Sequence, residues 1–228
     1  MSRGPLIRRI RLGPVLVLAL LLGCSTSPRP VPDDRAAAWA ELRSQLQALD
    51  AWRAEGRLAV RGVAEPGQAN FTWSQSPTGG FRLELDGPWG QSAGRLVVDA
   101  SGRSVLTTRR GREYVGRDPA RLVQRLYGWQ IPVRALRQWL LGLPGEAPYE
   151  LDRFGRLAAV DWQAWQIDYR RHRVVEGLDL PVNLRARDTR AGTELRVAVD
   201  RWHIGRDGQT PPGDSPVPLI GGEQGPGK

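Results

Sequence analysis

The chain has one cysteine, one methionine, two histidines and, at its last position, a single lysine. With Cys24 alone, no disulfide can form within the chain. One thiol and two separated histidines, His172 and His203, also give no cluster with metal-ligand spacing, so no metal is expected. The formal charge of +9 is carried almost wholly by arginine. This pattern reads as a preference for arginine over lysine, and no nucleic acid is expected as a partner. Long apolar runs are scarce too. Val15 to Leu22 falls far short of the length that spans a bilayer, roughly 20 residues. No transmembrane helix is expected there.

That short run is part of a recognisable export signal. Arg3, Arg8, Arg9 and Arg11 form a basic region before it, and Gly23 is the small residue after it. Leu21-Leu22-Gly23-Cys24 resembles the bacterial lipobox. The resemblance implies cleavage before Cys24, a diacylglycerol thioether on its sulfur and an acyl group on its new amine. Residues 1–23 are then a signal peptide whose loss removes four arginines and lowers the charge from +9 to +5. Residues 24–35 are rich in proline and polar residues and read as a lipidated, flexible tether. Ser25, where aspartate is absent, implies sorting to the outer membrane with the protein facing the periplasm. No cofactor is expected beyond these covalent lipids.

The folded domain is expected over residues 36–204. Trp39, Leu42, Leu46, Leu49 and Trp52 recur at helical spacing after a candidate cap at Asp33 or Asp34 and before a stop at Gly56, predicting one long amphipathic helix. Alternating strands follow around Leu58 and Val60, then Phe71 and Trp73, then near Val105 and Tyr114. Asp118-Pro119 is a helix start, with Leu122, Val123 and Leu126 on one stripe and Gly128 as the stop. A second short helix runs from Pro132 through Leu136, Trp139 and Leu140 to Gly142. Strands resume over Leu157 to Trp162, Trp165 to Arg170, Leu184 and Ala186, and Leu195 to Trp202. The order predicts an α+β fold with helices gathered on one face of a large antiparallel sheet. From residue 205 to 228 the chain is rich in Gly and Pro and without periodicity, so a disordered tail is expected.

The most informative stretch is Phe81 to Asp99. Phe81, Leu83 and Leu85 alternate with Arg82, Glu84 and Asp86, and Leu96 and Val98 alternate with Arg95 and Asp99. Between them Gly87-Pro88-Trp89-Gly90 reads as a turn. A tryptophan at a turn either tucks into the core or is offered to a partner, and pattern alone leaves both open.

The segment AWAELRSQLQALDAWRAEGRLAV, then FTWSQ, GPWG, GWQIPVRALRQWLLGLP, WQIDY, Leu180-Pro181 and VDRW resemble, in order, the LolB family of outer-membrane lipoproteins. The resemblance covers about residues 39 to 203. Its most specific part holds Gly128, Trp129, Pro132, Leu136, Trp139, Gly142 and Pro144. Family members commonly have glycine where this chain has Ala164. The resemblance implies an incomplete antiparallel β-barrel, a strongly curved sheet covered by helices around an apolar cavity. It implies receipt of cargo lipoproteins from the periplasmic carrier LolA and their insertion into outer-membrane phospholipid, by a monomer and without catalysis. By alignment of the turn, Trp89 stands where an apolar loop residue, usually leucine, assists insertion, flanked by Gly87, Pro88 and Gly90. Trp73, Phe81, Leu83, Leu96, Leu136, Trp139, Trp165 and Ile167 are cavity candidates, each of which could equally be plain core.

Other readings compete. Gly90-Gln91-Ser92-Ala93-Gly94 matches the G-x-S-x-G elbow of esterases, but an elbow needs a helix after the serine and a strand is expected here. Arg109-Arg110-Arg112 and Arg170-Arg171-His172-Arg173 are either solvated strand ends or surfaces for an acidic carrier or membrane phosphate. The runner-up is an envelope lipoprotein that binds another hydrophobic ligand or scaffolds an outer-membrane complex.

Overall fold

In the computed structural model, residues 34–62, 66–87 and 92–205 are described. The signal segment, Cys24, nearly all of the tether, Trp89 and all but the first residue of the Gly/Pro-rich tail lie outside these residues. Helix α1 (Asp34–Gln47) is followed by strands β1 (Trp52–Arg61), β2 (Gly67–Gln75), β3 (Phe81–Asp86), β4 (Ser92–Val98), β5 (Ser104–Thr108) and β6 (Glu113–Gly116). Helices α2 (Pro119–Tyr127) and α3 (Val133–Leu141) come next. Strands β7 (Tyr149–Leu151), β8 (Leu157–Trp162), β9 (Trp165–Val175), β10 (Leu178–Asp188) and β11 (Glu194–Ile204) complete the domain.

All eleven strands form one antiparallel sheet in the order β6-β5-β4-β3-β2-β1-β11-β10-β9-β8-β7. It consists of two meanders joined where β1 pairs with β11. The sheet is open, with β6 and β7 each paired on one side only. The connection from β6 to β7 must therefore cross the whole sheet, and α2 and α3 are carried on that crossing. They cover the face that bears the alternating large apolar residues, as the α+β reading expects. Tyr169 on β9 donates its hydroxyl to the Trp139 carbonyl of α3 at 3.1 Å. At the other end Leu122 of α2 lies over Gly116.

The local signals in the crossing match the structure. Asp118 accepts from the Ala120 and Arg121 amides at 3.0 and 3.4 Å, capping α2. Gly128 closes α2 with a φ of 68° and Gly142 closes α3 with a φ of 73°. A side chain would be strained at either position. The first helix is shorter than its periodicity predicts. It stops at Gln47, and Trp52 opens β1 instead, paired with Gln75 on one side and Ile204 on the other. Gly56 is no helix stop but sits at a β-bulge. A Cβ there would lie 2.0 Å from the Ala198 carbonyl oxygen. Helical spacing at Trp52 lost to two-sided strand pairing, which helix periodicity cannot foresee, and Leu49 falls in the link between α1 and β1. Asp99 also differs from expectation: it follows the end of β4 and accepts from the Ser101 and Arg103 amides at 2.9 and 3.1 Å, closing the next turn.

Candidate functional site

The eight cavity candidates lie between the sheet and the crossing helices, six on strands and two, Leu136 and Trp139, on α3, and all belong to one buried apolar cluster. Their positions follow from strand register. Trp73 on β2 pairs with Leu83 on β3, and Leu83 with Leu96 on β4, so three candidates form one row. Phe81 stacks on Trp73 with 4.5 Å between ring centroids. A second group gathers around α3, where Trp139 lies 5.5 Å from the ring of Trp165, with Leu136 on the same helix and Ile167 two residues along β9. The most exposed of the eight is Trp165, at 6 %. In this state they are packed against one another, and none of the four surface hollows found among the described residues is lined by any of them.

The packed face has polar features the sequence reading missed. Trp52 stacks on Trp73 at 6.0 Å, and both indole N–H groups are buried with no hydrogen-bond partner. A buried donor left unmade costs about 1–3 kcal/mol. Trp202, by contrast, donates to the Pro181 carbonyl at 3.1 Å. Arg137 of α3 reaches into this region and donates to Gln75 Oε1 at 2.7 Å; burial holds its pKa below the ordinary guanidinium value. Burial likewise raises the Tyr169 phenol far above its usual range. No sequence signal separates Trp52 from the other tryptophans, because its role depends on register with β2.

Gly87 ends the described part of the chain after β3, and β4 begins at Ser92, which pairs with Asp86. The residues of the expected insertion turn, Pro88, Trp89 and Gly90, lie outside the described residues. Ser92 and Gly94 both belong to β4, so no strand-to-helix elbow exists at that serine. Gly94 is required for a different reason: a Cβ there would come 2.2 Å from the Tyr127 hydroxyl of α2, which donates to the Ala93 carbonyl at 2.9 Å. The departure at Ala164 is accommodated. Gln163 takes the positive φ of 54°, and the Ala164 carbonyl accepts from the Thr189 amide and hydroxyl at 2.8 and 3.1 Å.

The two basic clusters separate. Arg170 to Arg173 lie within β9 rather than at a strand end. Arg170 lines a hollow of about 680 Å³ on the uncovered face with Arg57, Arg185 and Arg196. Arg57 pairs with Asp200 at 3.3 Å, and Arg185 and Arg196 both pair with Glu194. The Arg185 hydrogen bond is the main influence lowering the Glu194 pKa, and with Asp200 the two carboxylates balance part of that hollow's positive charge. His172 is held below its usual pKa by burial first and by Arg156 second, partly offset by Asp152 and Asp179. Arg109, Arg110 and Arg112 occupy the exposed turn between β5 and β6.

Comparison with known proteins places this architecture. The family model described as "Outer membrane lipoprotein LolB" matches residues 50–202. The chain is 31 % identical to the outer-membrane lipoprotein LolB of Yersinia enterocolitica over 201 residues, covering 85 % of this chain and 95 % of that protein. It is 32 % identical to the LolB of Aeromonas salmonicida over 189 residues, covering 83 % and 94 % respectively. Among solved structures it resembles a Vibrio parahaemolyticus domain described as a proposed outer membrane lipoprotein-sorting protein, with a TM-score of 0.52 at 9 % identity over 77 % of this chain and 94 % of that one. The last likeness concerns the fold alone.

Proposed function

The chain belongs to the LolB family of outer-membrane lipoproteins, and from that premise we infer how it works. It is a non-enzymatic outer-membrane lipoprotein that receives lipoproteins from LolA and inserts them into the outer membrane. The carrying observation is the family match across residues 50–202, which takes in all eleven strands apart from the last two residues of β11. Physical chemistry explains why a receiver is needed. At about 0.8 kcal/mol per buried CH₂, three acyl chains cost on the order of 30 kcal/mol to expose to water. The chains must pass from carrier to bilayer along apolar surface.

In our reading that surface is the covered face of the sheet. The open edges at β6 and β7 let the crossing helices move away from the strands, giving the incomplete barrel and its cavity in the loaded state. Trp73, Phe81, Leu83 and Leu96 then form one wall, and Leu136, Trp139, Trp165 and Ile167 the other. Their mutual packing in the empty state keeps water out of the site. Cys24 carries the lipids that anchor the protein, and Trp89, with Gly87, Pro88 and Gly90, forms the tip that enters the bilayer. An amphipathic indole suits the headgroup region.

The test loads LolA with a labelled lipoprotein and adds this protein without its own lipid, in the presence of liposomes. Wild type is expected to take the cargo and deliver it. Trp89→Glu is expected to take it without delivering. Failure of wild type to take cargo overturns the receiver reading, whereas normal delivery by Trp89→Glu removes only the role given to Trp89.

A further inference from the structure

The turn between β5 and β6 holds three arginines in four residues and is fixed by its own backbone. The Gly111 amide donates to the Thr108 carbonyl and the Thr108 amide to the Arg112 carbonyl, both at 2.9 Å. The Thr108 hydroxyl accepts from the Arg112 amide at 3.2 Å, and Gly111 supplies the φ of 74° the turn needs. Arg109, Arg110 and Arg112, with Tyr114 and Tyr127, line a hollow of about 660 Å³. Arg125 adds a fourth guanidinium, 5.5 Å from the centre of the Tyr114 ring. No carboxylate lines this hollow, and among the described residues none pairs with these three arginines. Glu113, the nearest acid in sequence, pairs with Thr107 across the ladder, and its side chain lies 3.5 Å from that hydroxyl.

We propose that this turn binds the phosphate groups of lipid headgroups at the bilayer surface. Arginine is suited to phosphate because its planar fork donates two parallel hydrogen bonds, and tyrosines flank such sites at membrane interfaces. Position favours a bilayer over an acidic protein. Thr108 pairs with Gly94, two residues from the start of β4, so this turn leaves the sheet at the same end as the connection from β3 to β4. Strands lie about 4.8 Å apart, so the two hairpins emerge about 10 Å from each other. This step rests on the reading of the β3–β4 connection as the membrane-entering tip. A bilayer touching one hairpin is then within reach of the other, and the arginines set the angle at which the tip meets the membrane.

The test measures binding of the chain from Ser25 onward, which lacks Cys24 and therefore its lipid, to vesicles containing phosphatidylglycerol. Arg109→Gln/Arg110→Gln is compared with Arg170→Gln/Arg171→Gln, which removes equal charge from β9. Each arginine at an anionic surface contributes about fivefold, so the turn variant is expected to bind about 25-fold more weakly and the β9 variant nearly as wild type. Equal loss in both variants overturns the proposal, because net charge alone would then account for it. So does unchanged vesicle binding in the turn variant, including the case in which that variant instead fails to take cargo from LolA, which assigns the turn to the carrier. A response to inorganic phosphate without any vesicle binding overturns it as well. Vesicle binding needs neither carrier nor cargo, so this result stands apart from the transfer test of the receiver function.

Discussion

Trp202 and Trp52 pack against each other with 5.4 Å between ring centroids, yet one indole N–H is bonded and the other is not. Both rings are buried on neighbouring strands, so they form an internal control for the worth of a hydrogen bond in this core. Trp202→Phe leaves the Pro181 carbonyl without its donor, while Trp52→Phe removes a donor that has no acceptor. The first substitution is expected to destabilise by about 1–3 kcal/mol more than the second, measured by urea unfolding. Equal losses would show that both sites respond only to ring volume.

The contact between Gly94 and Tyr127 predicts a coupled pair. Gly94→Ala places a methyl group 2.2 Å from the Tyr127 hydroxyl. The clash is expected to cost about 1–3 kcal/mol. Tyr127→Phe removes the obstructing oxygen along with its bond to Ala93. The double variant is therefore expected to be more stable than the sum of the two single effects, and a double-mutant cycle measures the difference. Additive losses would mean that α2 moves away without resistance.

His172 predicts a pH dependence of known sign. Its pKa is lowered in the folded state, so the unfolded chain binds the proton more tightly. The stability linked to its neutral form is complete above the unfolded value of about 6.5 and is lost as the pH falls through the folded pKa. His172→Gln is expected to flatten the stability profile on the acid side of neutrality. Asp152 and Glu55 act in a lower window. Burial alone would raise both, but bonds from Arg156 and Arg201 bring them below their usual values, so their contribution fades only as the carboxylates protonate. An unchanged profile in His172→Gln would assign the whole acid limb to the carboxylates.

Leu96→Ala tests whether the packed wall is also the lipid wall. In the empty protein Leu96 is 2 % exposed and paired with Leu83 and Leu106. Its truncation is expected to cost about 2–5 kcal/mol. If acyl chains replace those contacts on loading, bound cargo restores part of that loss, read as a larger rise in melting temperature for the variant than for wild type. The same rise in both would place Leu96 in the core and not in the cavity.

Sequence alone determined the features that local chemistry controls. Asp118-Pro119 and Gly142 marked helix ends because a cap needs only its own neighbouring amides or a backbone freed of a side chain. Phe81, Leu83 and Leu85 declared their face because strand alternation is a local period, and Gly128 to Pro144 carried the family resemblance within one crossing segment. Tertiary structure decided what depends on partners distant in the chain. Trp52 became a strand residue because β2 and β11 both pair with it, and Gly56 became a bulge because the Ala198 carbonyl faces it. Only the strand order brought the arginine turn to the sheet end where β3 stops and β4 begins. Periodicity records which way a side chain points, whereas what it meets there depends on strands far away in sequence.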